Sequence, residues 1–168
     1  MLTEPEFLKA YDAYADAIFR YCYFRLYDRE RALDLMQETF LKTWEYGQKR
    51  RHQPIENLRA FLYKVARNLV INEAKKRRPV SLDALEEAGA PLPAADFKIG
   101  DRLDAKRALA LAAQLEPQYR EPILLRFVEE LGPKEIAELL NITENNVSVR
   151  INRGIHQLRK LMKIPKPK

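Results

Sequence analysis

Asn145, Asn146, Ser148, Val149, Arg150 and Arg153 crowd into one short run, NITENNVSVRINRGIHQLRKLM, at residues 141–162. Their chemistry is recognition rather than bond-making. Asn pairs bidentately with adenine, Arg with guanine or phosphate, and an apolar side chain can touch a thymine methyl. At 100° per residue, Val147, Ile151, Gly154, Ile155, Leu158, Leu161 and Met162 share one side of a helix. The opposite side collects Asn145, Asn146, Val149, Asn152, Arg153, His156 and Lys160, with Ser148, Arg150 and Arg159 on the flanks. Val149, alone in a polar face, suits a base contact as well as it suits an ordinary exposed valine. The whole pattern favours DNA over a merely solvated face.

A second set lies in NLRAFLYKVARNLVINEAKKRR, which carries Arg59, Lys64, Arg67, Asn68, Asn72, Lys75, Lys76, Arg77 and Arg78, preceded by Lys49, Arg50, Arg51 and His52. Basic groups hold phosphates, and aromatic or amide groups can hold unstacked bases, as single-strand binders do. Of the interleaved aromatics, Phe61 suits the core and Tyr63 suits either place. A third set, Asp34, Gln37, Glu38, Leu41 and Glu45, forms an acidic stripe at helical spacing; by itself such a stripe is an ordinary solvated face. Cys22, His52 and His156 have no metal-ligand spacing, and Cys22 reads as a buried structural thiol. With no phosphate-binding glycine loop and no paired catalytic carboxylates, neither a catalytic residue, a metal nor a cofactor is expected.

The elements that must position these groups are helices. The 168 residues are 46% hydrophobic and 32% charged, with only 5 glycines and a net charge of +6. This excludes a membrane or all-β protein and makes a polyanionic partner plausible. The opening MLTEPEFLKAYDAYADAIF lacks a signal peptide's basic cluster and unbroken apolar run, so a cytoplasmic protein without direct membrane insertion is expected. Phe7, Leu8, Tyr11, Tyr14, Ala15, Ile18, Phe19 and Cys22 recur at helical spacing. Asp28 suits an N-cap for a second helix burying Ala32, Leu35, Met36, Thr39, Phe40 and Thr43, with Trp44 at its edge and Gly47 as its stop. A third helix ends before Pro79. The fold class is therefore all-α: two small helical domains, 1–78 and 105–168, joined by a flexible acidic linker, 79–104, rich in Pro, Ala and Gly.

The second domain has helix-turn-helix syntax. Pro117 fits a helix start, and Pro122 either distorts the first turn after it or marks the true first turn. Gly132 ends one helix, Pro133 opens the next, and Ile136, Ala137, Leu139 and Leu140 form its inner face. Asn141 suits a left-handed turn, Thr143 an N-cap, and Ile142 a staple to Val147.

Three stretches in this order resemble the bacterial RNA polymerase sigma factors of the extracytoplasmic-function group, in the sigma-70 family. RALDLMQETFLKTWE is similar to the family's polymerase-binding helix, and NLRAFLYKVARNLVINEAKKRR to its promoter-melting helix. YREPILLRFVEELGPKEIAELLNITENNVSVRINRGIHQLR is similar to its minus-35-reading domain. The resemblance implies that Asp34, Gln37, Glu38 and Leu41 dock on the β′ clamp helices of core RNA polymerase, whose β subunit is a further partner. It implies that loop 46–56 holds a flipped minus-10 base, and that Arg50, Arg51, Arg59, Lys64, Arg67, Asn68 and Asn72 contact the opening strands. Asn145, Asn146, Ser148, Val149, Arg150 and Arg153 would face minus-35 promoter DNA. An anti-sigma factor is the implied regulator. The sequence departs from common family residues at Asn72, Asn145, Asn146, Val149 and Ile155, all on or near reading faces. A two-domain repressor or activator that never engages polymerase is the alternative.

Overall fold

The structure, a computed structural model, describes residues 1–50, 53–76 and 109–162. Among them there are helices and no strands, and the chain divides into two compact units, Met1–Pro91 and Leu92–Lys168. The expected linker and the end of the third helix at Pro79 lie outside the described residues.

In the first unit, α1 (Glu4–Leu26), α2 (Arg29–Lys49) and α3 (Leu58–Lys76) pack pairwise. Residue Thr3 caps α1: the Glu6 carboxylate accepts from its N–H at 2.9 Å and from its hydroxyl at 2.7 Å. Tyr27, at φ 50, closes α1, and the Asp28 carboxylate then accepts from the Arg31 N–H at 3.0 Å to start α2. Only these two residues separate the helices, so the chain turns sharply and α2 packs back on α1. Ile18, Tyr21 and Cys22 of α1 meet Leu35, Met36 and Phe40 of α2 and Leu62, Tyr63 and Ala66 of α3 in the core. Two threonines are buried without leaving a donor unpaired: Thr39 donates to the Leu35 carbonyl at 2.7 Å and Thr43 to that of Thr39 at 2.8 Å.

The sequence expectations need correction at several places in this unit. Gly47 does not stop α2, which continues to Lys49 and is capped at Arg50. Gly47 is a buried helical residue whose missing side chain makes room for Leu2; a Cβ there would stand 2.7 Å from Leu2 Cβ. Leu8 and Tyr11 are exposed, because helical spacing fixes the side of α1 they occupy but not how far α2 reaches around it. Tyr63, placed by sequence in either role, is 1% exposed and lies edge-on to Tyr21, with ring centroids 5.6 Å apart.

The second unit holds a helical stretch at 109–112, α4 (Pro117–Ile123), a π-helical turn (Leu124–Val128), α5 (Pro133–Leu140) and α6 (Glu144–Leu161). Pro117 starts α4 as expected; Pro122 sits inside it, and without an N–H it supplies no bond to the preceding turn. Directly after it the backbone widens, and the Glu129 N–H reaches the Leu124 carbonyl at 3.1 Å, five residues back. The extra residue in that turn shifts the register, leaving Leu124 and Leu125 buried and Phe127 52% exposed. Gly132 likewise does not end a helix. The left-handed residue is Glu130, at φ 55, and Gly132 is the extended N-cap of α5, donating its N–H to Glu135 Oε2 at 2.9 Å.

Candidate nucleic-acid and protein interfaces

The turn before α6 is built as its residues require. Asn141 adopts φ 55, ψ 49, the Ile142 N–H returns to the Ala137 carbonyl at 3.0 Å, and Thr143 Oγ1 accepts from the Asn146 N–H at 3.1 Å. These bonds leave α6 starting at a fixed angle to α5. On its inner side Val147 and Gly154 are buried. At Gly154 a Cβ would fall on Ile123 Cδ1 and lie 3.3 Å from Tyr119 Cβ, so glycine is what allows α4 to cross so closely. On its outer side Asn145, Asn146, Ser148, Asn152 and Arg153 are exposed, while Val149 and Arg150 are half-buried. The arrangement offers amides at the first turn, an apolar shoulder at Val149 and a guanidinium one turn on, groups able to contact base edges and phosphates.

On α3 the structure divides the basic set that the sequence had grouped together. Lys64, Asn68 and Asn72 are exposed at i, i+4 and i+8, and with Lys75 they form one continuous stripe. Arg59 and Arg67 are half-buried and stand off that stripe, and Arg67 Nε is shielded from solvent. Arg50 is exposed just beyond α2, where its guanidinium donates to Gln53 Oε1 at 2.9 Å and lies 5.1 Å from the Tyr46 ring centre. Tyr46 in turn meets Phe61 at 4.7 Å, so Phe61 is half-buried in an aromatic pair and not deep in the core. Arg51 lies outside the described residues.

On α2 the acidic stripe is intact. Asp34, Gln37 and Leu41 are exposed, Leu41 at 57%, and Glu38 is half-buried 3.5 Å from Lys42 Nζ. Leu41 is a single apolar side chain among these polar groups, and a lone exposed leucine is ordinary on a solvated helix face.

One group was missed by sequence. Glu73, 8% exposed on α3, accepts two bonds from Arg31 of α2, at 2.7 Å from Nε and 2.8 Å from Nη2. Those hydrogen bonds, aided by the charges of Glu73, Asp34 and Glu38, hold Arg31 more firmly protonated than usual. Arg31 Nη1 also lies 3.6 Å from Asp34. The pair therefore ties the acidic helix to the basic one. A carboxylate three residues beyond Val70, on the apolar side of α3, was the available sign. Among the described residues no cluster of His, Cys, Asp or Glu could hold a metal ion, and no helix is long and apolar enough to cross a membrane.

Comparison with known proteins places both units. Residues 10–80 match the Sigma-70 region 2 model and residues 105–158 the Sigma-70, region 4 model. The chain is 31% identical over 171 residues to the ECF RNA polymerase sigma factor SigW of Bacillus subtilis, covering 95% of this chain and 90% of SigW. It is 28% identical over 159 residues to the ECF RNA polymerase sigma factor BldN of Streptomyces coelicolor, covering 93% of this chain and 60% of BldN. In fold it is similar to the sigma factor RpoE of Bartonella quintana, crystallised with the anti-sigma factor NepR, at a TM-score of 0.70 and 20% identity. That match covers 96% of this chain and 99% of the other.

Proposed function

This chain belongs to the extracytoplasmic-function sigma factors of the sigma-70 family, and from that premise we propose how its surfaces divide the work of initiation. As a sigma factor it directs core RNA polymerase to particular promoters and assists their melting. Sigma factors are non-catalytic regulators, and this one supplies no chemistry of its own. A repressor or activator acting without polymerase, the alternative suggested by a helix-turn-helix alone, is not favoured by the family membership.

The stripe of Asp34, Gln37, Glu38 and Leu41 docks on the β′ clamp helices, Leu41 losing water while the carboxylates select a basic partner. Lys64, Asn68 and Asn72 hold the opened minus-10 strand, and Arg50 flanks the loop that captures a flipped base. Arg59 and Arg67, half-buried, reach only phosphates at the edge of that stripe. Asn145, Asn146, Ser148 and Val149 read minus-35 bases from α6, with Arg150 and Arg153 as phosphate anchors. The protein acts in the cytoplasm, where polymerase meets the chromosome, and an anti-sigma factor restrains it by covering these surfaces, the kind of partner bound to the Bartonella quintana RpoE.

The observation that carries this reading is the placing of an acidic, leucine-bearing stripe on α2 and a basic-amide stripe on α3 within one helical unit, the two helices joined by Arg31 and Glu73. Reconstituted transcription with core polymerase tests it. Asp34→Lys combined with Glu38→Lys abolishes holoenzyme assembly and promoter-specific transcripts while the isolated chain keeps its duplex DNA binding. Unimpaired assembly in that variant would remove the α2 docking surface from consideration.

A further inference from the structure

The close approach at Gly47 joins two parts of the chain that the sequence gives no reason to connect. Gln48 Nε2 donates to the Leu2 carbonyl at 2.8 Å, across 46 positions of sequence, and Leu2 packs where a Gly47 side chain would otherwise stand. The Thr3 cap, held by Glu6, fixes the direction in which the chain leaves α1, so residues 1–3 turn back over the end of α2. A cleft of about 360 Å³ lies there. It is lined by Leu2 ahead of α1, by Ala10 and Tyr14 on α1, by Gly47 on α2, and by Pro54 and Ile55 beyond α2. The residues that lead from α2 into α3 therefore share walls with the segment ahead of α1.

We propose that residues 1–3 are a positioning strap for the strand-capturing loop: Leu2, seated on Gly47 and tied to Gln48, sets where residues 53–57 stand and thereby sets base selectivity in the minus-10 element. This rests on base capture by that loop. Selectivity is the property most sensitive to such a support, because discrimination by one well-placed contact to a base is worth about ten- to a hundredfold and depends on where the contacting group stands. None of the strap residues belongs to the acidic stripe on α2 or to α6, so polymerase assembly and minus-35 binding stay as they are.

The experiment uses the full chain with core polymerase on promoters carrying each of the four bases at every minus-10 position, read as the ratio of transcripts from preferred and other bases. Leu2→Ala and Gln48→Ala lower that ratio about tenfold at one position, while Leu2→Met retains it. Gly47→Ala approaches the same contact from the other side. Alanine favours helix over glycine, so a loss of selectivity in that variant comes from unseating Leu2 and not from a weakened helix. Arg50→Ala and Ile55→Ala report on the loop directly. If these two alter selectivity and the Leu2, Gln48 and Gly47 variants do not, whatever their melting temperatures, the strap is only structural and the proposal falls. If Arg50→Ala and Ile55→Ala also leave selectivity untouched, base capture by the loop falls first, and the strap with it.

Discussion

Replacing Tyr63 with leucine separates a core residue from a base-stacking one. Tyr63 is 1% exposed, and its ring meets that of Tyr21 edge-on at 78°. Losing the edge-to-face pair costs about 1 kcal/mol. The smaller apolar surface that leucine buries costs about 1 kcal/mol more, so Tyr63→Leu destabilises the first unit by about 2 kcal/mol. For a unit of this size that lowers the melting temperature by about 8–16 °C. The chain contains a single tryptophan, Trp44 on α2, so its fluorescence follows unfolding of the first unit alone. The expected result is a Trp44 transition moved down by that interval, with promoter opening close to the parent's when both are assayed well below it. A Trp44 transition that does not move, together with lost promoter opening, would refute core placement and assign the ring to the melted strand.

Three further outcomes follow from the caps and turns. Asn141→Gly keeps the stability of the second unit, whereas Asn141→Val, forced into the left-handed conformation, loses about 1–2 kcal/mol, measured by urea denaturation followed by circular dichroism. Thr143→Ala removes the acceptor for the Asn146 N–H and costs about 1 kcal/mol; in band-shift titrations it also weakens minus-35 binding, because the first turn of α6 frays. The hydrogen bonds from Thr3 hold the Glu6 carboxyl below its ordinary range. A carboxyl depressed in the folded state stabilises above its unfolded value and loses that contribution as pH falls through the folded one. The gap in Trp44-reported stability between the parent and Glu6→Ala is therefore full at neutral pH and narrows in acid.

Much of this architecture is legible in the sequence because helical periodicity and capping chemistry are local. The Asp28 and Thr143 caps, the left-handed Asn141 and the buried face of α2 depend on residues a turn or two apart and form as expected, whereas on the apolar side of α6 only Val147 and Gly154 are buried and Leu161 is exposed. The grouping of these residues into three polar faces was legible for the same reason: residues at i, i+3 and i+4 share a face wherever the helix is placed. What the sequence could not supply is how far each face is covered, since that depends on neighbours distant along the chain. Leu8 and Tyr11 belong to an apolar pattern yet stay exposed, and Arg59 and Arg67 belong to a basic pattern yet sink beside the helix. Gly47 reads locally as a helix stop, and only the arrival of Leu2, 45 positions away, explains a glycine inside α2. Glu73 falls on the apolar side of α3 in the sequence, but its partner, Arg31 of α2, is supplied only by the fold. The sequence by itself determined the helical segments, the Asp28 and Thr143 caps and the chemical character of each face; tertiary packing decided which members of each face meet solvent, because burial and ion pairing are made between elements and periodicity records only one element at a time.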